Sequence, residues 1–121
     1  MKYDDNNIFA KILRGEIPCE KIYEDDFVLS FYDINPQKKI HALVIPKGKY
    51  IDLDDFSSKA TPEEMVGLLK GINTVAKKLG ISVDTGKGYR ALANISEDGG
   101  QEVPHLHFHL FGGEKVGKMV Q

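Results

Sequence analysis

The sequence predicts an α+β fold in which helices pack on a mostly antiparallel sheet. Two observations indicate this class: short turns join successive apolar stretches, and one long amphipathic helix separates the third of them from the fourth. The length of 121 residues suits one domain, and no linker-like composition divides the chain. We therefore expect a single domain over residues 1–121.

A short helix is predicted near the start of the chain. Asn6 or Asn7 can cap it, because a side-chain oxygen there accepts a hydrogen bond from a free backbone N–H of the first turn. The helix would run through Arg14 and stop at Gly15. Its apolar residues are expected to pack in the core.

Two antiparallel strands are predicted next, at residues 22–23 and 27–32, with an acidic turn at 24–26 between them. The second strand runs into a turn-forming segment that begins at Asp33. A carboxylate at a strand exit can accept hydrogen bonds from a ligand, or it can cap its own turn. The local sequence leaves both roles open for Asp33.

A third strand is predicted at residues 41–46, whose nearly unbroken apolar character indicates a central position in the sheet. His41 is its only polar residue. Taken alone, a histidine at the start of a buried strand is more often a structural hydrogen-bonding group than a catalyst. Three further histidines on a candidate neighbouring strand favour a shared site.

The long helix is predicted from Thr61 to Leu79. Thr61 and Glu64 have the spacing of a capping box, Pro62 suits the first helical position, and Gly80 suits the stop. Apolar residues recur at helical spacing through this stretch. The apolar stripe predicts a helix that covers the core, and periodicity alone does not distinguish core packing from a subunit interface.

The last two strands are predicted at residues 89–95 and 105–111, joined by a loop at 96–101. Histidine alternates with leucine or phenylalanine in the final strand, so all three of its imidazoles are expected on one face. Strand geometry separates successive histidines by about 7 Å, and the outer two by about twice that. His107 is therefore the central residue of the row.

The glycine pair at residues 99–100 lets backbone amides approach an anion closely, although such a pair alone is weak support for a site. The interleaved apolar residues argue against a purification tag, and a solvated face would more simply use Lys, Thr or Glu. A metal site and a catalytic row remain. A metal-binding β-barrel of the cupin type, with Glu114 nearby in sequence, fits poorly because the long helix is foreign to it.

Composition excludes several classes of function. A formal charge of -2 gives no general attraction to nucleic acid or to an anionic membrane. The single cysteine, Cys19, cannot form an intramolecular disulfide, and the charged opening residues do not resemble a signal peptide. No apolar run approaches the ~20 residues of a membrane span. We expect a cytoplasmic protein without nucleic-acid or membrane partners.

The histidine row resembles the His-x-His-x-His-x-x signature, with apolar residues at each x, of the histidine triad superfamily. The similarity extends to its histidine triad nucleotide-binding branch through five further runs, at residues 8–12, 15–18, 33–36, 41–46 and 99–101. Together these runs span almost the whole chain. The resemblance identifies residues 1–121 as one histidine triad domain.

The resemblance implies a homodimer whose subunits each contribute a five-stranded antiparallel sheet with one long and one short helix. The two sheets would join across the long helix and an edge strand. The implied activity is hydrolysis of purine nucleoside 5'-phosphoramidates, including adenosine phosphoramidate and aminoacyl adenylates, through a nucleotidyl-histidine intermediate. The bound nucleotide would be AMP-like.

By the same resemblance, His107 would be the nucleophile, assisted by the three other histidines: His41, His105 and His109. Asp33 would hold the ribose hydroxyls, and Ile34 would line the base pocket. Four residues would lie around the ribose and phosphate: Asn94, Gly100, Gln101 and Glu102. A neutral imidazole is a competent nucleophile toward phosphorus if its other nitrogen carries the proton, and a main-chain carbonyl near His105 is expected to hold that proton.

The chain departs from the family pattern in three places. Asn7 and Ala10 stand where some members carry two cysteines for a structural zinc, so that zinc is not expected. The resemblance implies no other metal and no cofactor. Glu102 stands where the animal members have serine, and its charge would repel a phosphate unless it turned away, was protonated or offered only its backbone amide. The tail after Gly113 lacks the tryptophan-containing ending of those relatives, which leaves substrate selectivity open.

Two alternatives share the same pocket. One is a noncatalytic nucleotide-binding or scaffold protein, and the other is a dinucleoside polyphosphate hydrolase. Nucleotidyl transferases typically replace the third histidine with glutamine, whereas this chain has His109.

Overall fold

The structure is a computed structural model that describes residues 2–119. Within this range five strands form one sheet: β1 (Lys21–Glu24), β2 (Val28–Tyr32), β3 (Ile40–Pro46), β4 (Arg90–Leu92) and β5 (Phe108–Gly112). Four helices accompany the sheet: α1 (Ile8–Leu13), α2 (Leu53–Lys59), α3 (Pro62–Lys78) and α4 (Ser96–Gly99). None of the helices in residues 2–119 is long and apolar enough to cross a membrane.

The strand order is β1-β2-β3-β5-β4, and every neighbouring pair is antiparallel. The predicted α+β class and five-stranded antiparallel sheet are confirmed. β3 lies at the centre, as its apolar sequence predicted, because both of its edges are hydrogen-bonded to other strands.

The expectation of one long and one short helix is wrong in number, since α2 and α4 were not anticipated. α2 has seven residues with Phe56 as its buried anchor, and Asp52 caps it by accepting a hydrogen bond from the Asp55 N–H at 2.8 Å. α4 is a single turn of four residues. Helices this short show too few apolar repeats for a period to be recognised.

Both C-terminal strands are shorter than predicted. The strand expected at 89–95 is reduced to Arg90–Leu92, which pairs only with β5 among the described strands. The strand expected at 105–111 begins only at Phe108. The backbone before Phe108 does not pair with β3, because Pro46 has no N–H to donate and its carbonyl accepts the His105 side chain. The Leu106 N–H donates instead to the Tyr50 carbonyl at 2.8 Å.

The two faces of the sheet bury different clusters. On one face, α3 covers an apolar cluster formed by Val28, Ala42, Val44, Leu68, Ile72, Val75, Leu106 and Leu110 with Phe56 of α2. On the other face, Phe9 of α1 packs with Leu29, Phe31, Leu43 and Ile45. Side chains that alternate along β3 therefore divide between a fully apolar face and a face that has room for polar groups.

Local sequence signals fix the ends of the main helices. Asn7, one of the two caps that the sequence offers, caps α1 by accepting a hydrogen bond from the Ala10 N–H at 2.9 Å. Thr61 and Glu64 form the predicted capping box at the start of α3, with Pro62 in the first turn. Gly15 and Gly80 follow their helices with φ of +79° and +72°, a conformation that favours glycine.

Candidate active site

The four histidines gather on the face of the sheet that α1 covers. His41 lies at the start of β3 and His109 in β5, whereas His105 and His107 occupy the irregular segment before β5. The ring centroid of His109 is 5.2 Å from that of His41 and 5.1 Å from that of His107. The expectation that His105 and His107 belong to a regular strand is wrong, yet the predicted gathering of the row with His41 is present.

His107 has a defined tautomer. Its Nδ1 lies 2.7 Å from the backbone carbonyl oxygen of His105, which can only accept. Nδ1 therefore carries the proton, and Nε2 keeps its lone pair. This confirms the expectation that a carbonyl near His105 would hold the proton of His107.

His41 and His109 form a second linked pair. The Gln37 N–H donates to Nδ1 of His41 at 3.1 Å, so the His41 proton resides on Nε2. That Nε2 is 2.9 Å from Nδ1 of His109, which must accept and therefore places the His109 proton on its own Nε2. The pair thus leaves His109 with an N–H that has no partner among the hydrogen bonds of residues 2–119.

Burial keeps the four rings neutral. It lowers the pKa of His105 to about 4, an effect that the Pro46 carbonyl partly opposes. Burial together with the neighbouring His107 and His41 lowers the pKa of His109 to about 4. Burial also lowers the pKa values of His107 and His41, with opposing contributions that include the charge of Asp33. At pH 7 the site therefore offers uncharged imidazoles.

Three side chains in this site lie close enough together to be tested as ligands of a metal ion. One oxygen of Asp33 and one nitrogen each of His41 and His109 lie within 4.8 Å of one another. The donor chemistry opposes binding, because the Gln37 N–H holds Nδ1 of His41 as an acceptor and its Nε2 consequently carries a proton. Glu114 is engaged elsewhere, since its carboxylate accepts the Lys39 N–H at 2.7 Å.

A pocket of about 780 Å³ opens beside His41, which is one of its lining residues. Its wall is mostly apolar and includes Ile8, Phe9, Ile12, Ile17, Phe31, Ile34, Leu43 and Val103, together with Asp33 and His41. The size and lining are typical of small-molecule sites. The His107 ring lies edge-on to Phe9 at a centroid distance of 4.9 Å, which places it next to the pocket wall.

Two predicted ligand-binding residues lie where β2 leaves the sheet. Asp33 accepts the Asn35 N–H on Oδ1 at 2.8 Å, so it does cap its own turn. Its Oδ2 is 3.4 Å from Nε2 of His41 and faces the site. Ile34 is 91% exposed and lines the pocket at its mouth. Both roles left open for Asp33 are therefore compatible with this geometry.

The loop before the histidines is held from within. The Gln101 side chain donates to the carbonyls of Ile51 and Val103 at 2.6 and 3.0 Å and accepts the Ser96 N–H at 3.0 Å. The backbone N–H groups of Gly100 and Gln101 donate to the carbonyls of Glu97 and Ser96. Both amides therefore serve the α4 turn in this structure, and the position of Gly100 and Gln101 around a ribose and phosphate stays a prediction.

Asn94 and Glu102 flank this loop. Asn94 is half-buried and lies close to Gly99. A Cβ added to Gly99 would be 3.6 Å from the carbonyl carbon of Asn94. Glu102 is exposed. Burial lowers the pKa of His107, and the charge of Glu102 opposes this effect to a small extent. A carboxylate there strengthens the basicity of His107 and disfavours an approaching anion.

Sequence reasoning missed three groups that shape the site. The sequence predicts only core packing for the apolar residues of the first helix, but the ring of one of them, Phe9, is edge-on to both His105 and His107. The Gln37 N–H and the Tyr3 hydroxyl were not anticipated as partners of His41 and His105. A backbone amide in a loop and a tyrosine near the chain start carry no local sequence signal for these contacts.

Comparisons with known proteins place these features in a family. The HIT domain family model matches residues 14–116. A 13.2 kDa HIT-like protein of Azospirillum brasilense, itself uncharacterised, is 53% identical over 118 residues, covering 98% of this chain and 94% of that protein. The purine nucleoside phosphoramidase of Escherichia coli K12 is 40% identical over 117 residues, covering 96% and 94%. A HIT family hydrolase from Clostridium thermocellum superposes with a TM-score of 0.86 at 36% identity, covering 98% of this chain and 99% of that one.

Proposed function

Because the chain belongs to the HIT domain family, we propose that it is a nucleotide hydrolase that cleaves purine nucleoside 5'-phosphoramidates, with aminoacyl adenylates as further substrates. One observation carries the proposal: Nδ1 of His107 donates to the His105 carbonyl at 2.7 Å, which leaves the Nε2 lone pair available on a ring that packs against Phe9 of the pocket wall. The similarity to the Escherichia coli purine nucleoside phosphoramidase supports this substrate class.

The reaction would proceed in two displacements at phosphorus. In the first, the lone pair of His107 Nε2 forms an N–P bond while the P–N bond to the leaving amine breaks, and the amine takes up a proton from solvent as it departs. In the second, a water oxygen bonds to the phosphorus, the His107–P bond breaks with its electron pair returning to Nε2, the proton of the water passes to solvent, and the nucleoside 5'-monophosphate is released. Splitting the hydrolysis in this way lowers the barrier of each step.

The other histidines would support the phosphate and the nucleophile. The His109 Nε2–H is suited to donate to a phosphate oxygen as negative charge develops there. His41 would fix that donor, because its own Nε2–H holds Nδ1 of His109 as an acceptor. His105 would act through its carbonyl, which orients the His107 ring.

The nucleoside would occupy the 780 Å³ pocket. Its apolar wall suits a flat purine, and the exposed Ile34 at the mouth would cover one face of the base. Asp33 Oδ2 would accept a ribose hydroxyl, because Oδ1 is already bound to the Asn35 N–H. Asn94 and Glu102 would border the phosphate end.

We also propose that the working unit is a homodimer. The outer edge of β4 has no partner among the described strands, and α3 exposes Val66 and Leu69 at 51% and 68%. Open strand edges and exposed apolar residues favour association with a second copy. Sedimentation velocity at micromolar concentration should give a dimer; a monomer across the concentration range would contradict this part of the proposal.

Hydrolysis of adenosine 5'-phosphoramidate after exhaustive chelation tests the activity. We expect AMP to form with and without chelator, because the His41 tautomer opposes a metal at the site. The 2'-deoxy substrate should react more slowly, by roughly 10- to 150-fold, if Asp33 accepts a ribose hydroxyl. The Escherichia coli enzyme provides the positive control.

Each failure of this assay points to a different conclusion. Activity that requires added zinc or iron would contradict the histidine mechanism and favour a metal enzyme. Tight AMP binding without turnover would favour a noncatalytic nucleotide-binding protein. Turnover confined to dinucleoside polyphosphates would identify the chain as a dinucleoside polyphosphate hydrolase. Equal rates for the ribonucleoside and 2'-deoxyribonucleoside substrates would contradict the role proposed for Asp33.

A further inference from the structure

The segment at residues 2–7, here called the N-terminal strap, contacts the histidine site. The Tyr3 hydroxyl lies 2.6 Å from Nδ1 of His105, and the two rings meet edge to face at a centroid distance of 5.6 Å. Two further contacts hold the strap: Asp5 pairs with Lys49 at 2.8 Å, and Arg14 donates to the Asp5 carbonyl at 2.9 Å. Tyr3 is therefore held in place by contacts independent of its own hydroxyl.

His105 depends on Tyr3 for one of its two polar ring atoms. The His105 ring is 0% exposed, and its Nε2 lies 2.8 Å from the Pro46 carbonyl. Because that carbonyl can only accept, the proton is on Nε2, and Nδ1 needs a donor. Tyr3 supplies that donor. Without the hydroxyl, Nδ1 would be a buried acceptor whose only hydrogen bond among residues 2–119 had been removed.

The backbone of His105 continues this chain of contacts to His107. The His105 carbonyl accepts the Nδ1–H of His107 at 2.7 Å, and both rings lie edge-on to Phe9. We propose that Tyr3 is a positioning residue, acting through His105, that keeps the His107 ring in the orientation and tautomer needed for attack on phosphorus. The catalytic consequence rests on the proposed function, whereas the effect on the His107 ring does not.

The variant Tyr3→Phe tests this inference, because it removes one oxygen and retains the ring that packs on His105. The matched control is Tyr23→Phe, which removes a hydroxyl bonded to Asp25 at 2.8 Å in the β1–β2 hairpin. We expect Tyr3→Phe to lower kcat by ~10-fold, and by up to ~100-fold if the ring shifts by an ångström, with KM for adenosine 5'-phosphoramidate unchanged. Tyr23→Phe should leave both constants unchanged.

Long-range ¹H–¹⁵N spectra of the histidine rings provide a readout that does not depend on turnover. In the wild-type chain His107 should show a single tautomer with its proton on Nδ1, whereas Tyr3→Phe should show a mixture of the two tautomers. Circular dichroism and AMP binding should match the wild type.

The outcomes separate this inference from the proposed function. A Tyr3→Phe variant with the wild-type kcat and a single His107 tautomer would overturn it, as would an equal loss of kcat in Tyr23→Phe. If the wild-type chain fails to cleave phosphoramidates, the proposed function fails and the ring spectra alone decide the role of Tyr3. If Tyr3→Phe does not fold, the strap is needed for folding rather than for positioning, and the inference also fails.

Discussion

Backbone groups determine which ring nitrogen of each histidine carries the proton. The carbonyls of Pro46 and His105 place the protons of His105 and His107, and the Gln37 N–H places the proton of His41. His109 is then fixed through His41. Because these backbone donors and acceptors are fixed by the fold, the positions of the ring protons are set before any ligand binds.

The same arrangement predicts which histidine becomes modified. His107→Ala should bind AMP with little loss yet lose several orders of magnitude in turnover, because only direct attack by water remains. His109→Ala should lose less, about 10²- to 10³-fold, since it removes one donor to the developing charge. Rapid quenching without acid, followed by peptide mass spectrometry, should place the nucleotide on His107.

Other results would contradict this assignment. An adduct on His41, His105 or His109 would identify a different nucleophile. A His107→Ala variant that keeps substantial turnover would show that no covalent step through this ring is needed.

Part of this detail is predictable from the sequence. The His107 tautomer was predictable because its carbonyl partner is only two positions away in the chain. The Tyr3–His105 hydrogen bond joins residues 102 positions apart, and no periodic pattern or capping motif reports such a pair. Likewise, a glycine pair indicated amides near an anion, but it could not show that α4 already engages them.

At the scale of secondary structure, local signals predicted helix ends better than strand ends. The capping box and Pro62 placed the start of α3 correctly because each acts within one turn. The limits of β4 and β5 instead depend on which neighbour offers a hydrogen-bonding edge. Pro46 ends the pairing of β3 with β5, and it lies about sixty positions before the histidines of β5 and its preceding segment in the sequence.

The cap of α3 supports a prediction about stability. Thr61→Ala removes the oxygen that accepts the Glu64 N–H, so the free energy of unfolding should fall by about 1 kcal/mol. Thr74→Ala makes the same chemical change inside the helix and should alter it by no more than about 0.5 kcal/mol. Urea denaturation measures both. The turnover of each variant should match the wild type, because α3 lies on the sheet face opposite the histidines.

Equal destabilisation by Thr61→Ala and Thr74→Ala would contradict a specific role for the cap. A loss of turnover in Thr61→Ala would instead couple α3 to the histidine site across the sheet.

At the scale of the whole molecule, the two faces of the sheet have different roles. The face under α3 carries the apolar cluster of the core, while the opposite face holds the four imidazoles, three of which are buried. His41, His105 and His107 are 2%, 0% and 7% exposed. Their neutrality in the folded chain means that folding and protonation compete.

This competition makes the stability depend on pH. In the unfolded chain a histidine has its ordinary pKa of 6.5, whereas burial lowers the pKa of folded His105 to about 4. Between these values the unfolded chain binds more protons, so the free energy of unfolding must fall as the pH falls. Above pH 6.5 both states are neutral at this ring and its contribution is fully present.

We therefore expect the free energy of unfolding to decrease steadily from pH 7 to pH 5 at fixed protein concentration. His105 alone accounts for a loss of about 2 kcal/mol over that range, and the lowered pKa of His109 adds to the same slope. Carboxylates with lowered pKa values, such as Glu24 near 2, affect stability only below this window.

Urea denaturation at half-unit steps of pH measures the slope, and His109→Asn should reduce the proton uptake on unfolding at pH 5.5 by about one. A free energy of unfolding that stays constant from pH 7 to pH 5 would mean that the folded rings bind protons over the same pH range as the unfolded ones, which would contradict the lowering of their pKa values by burial.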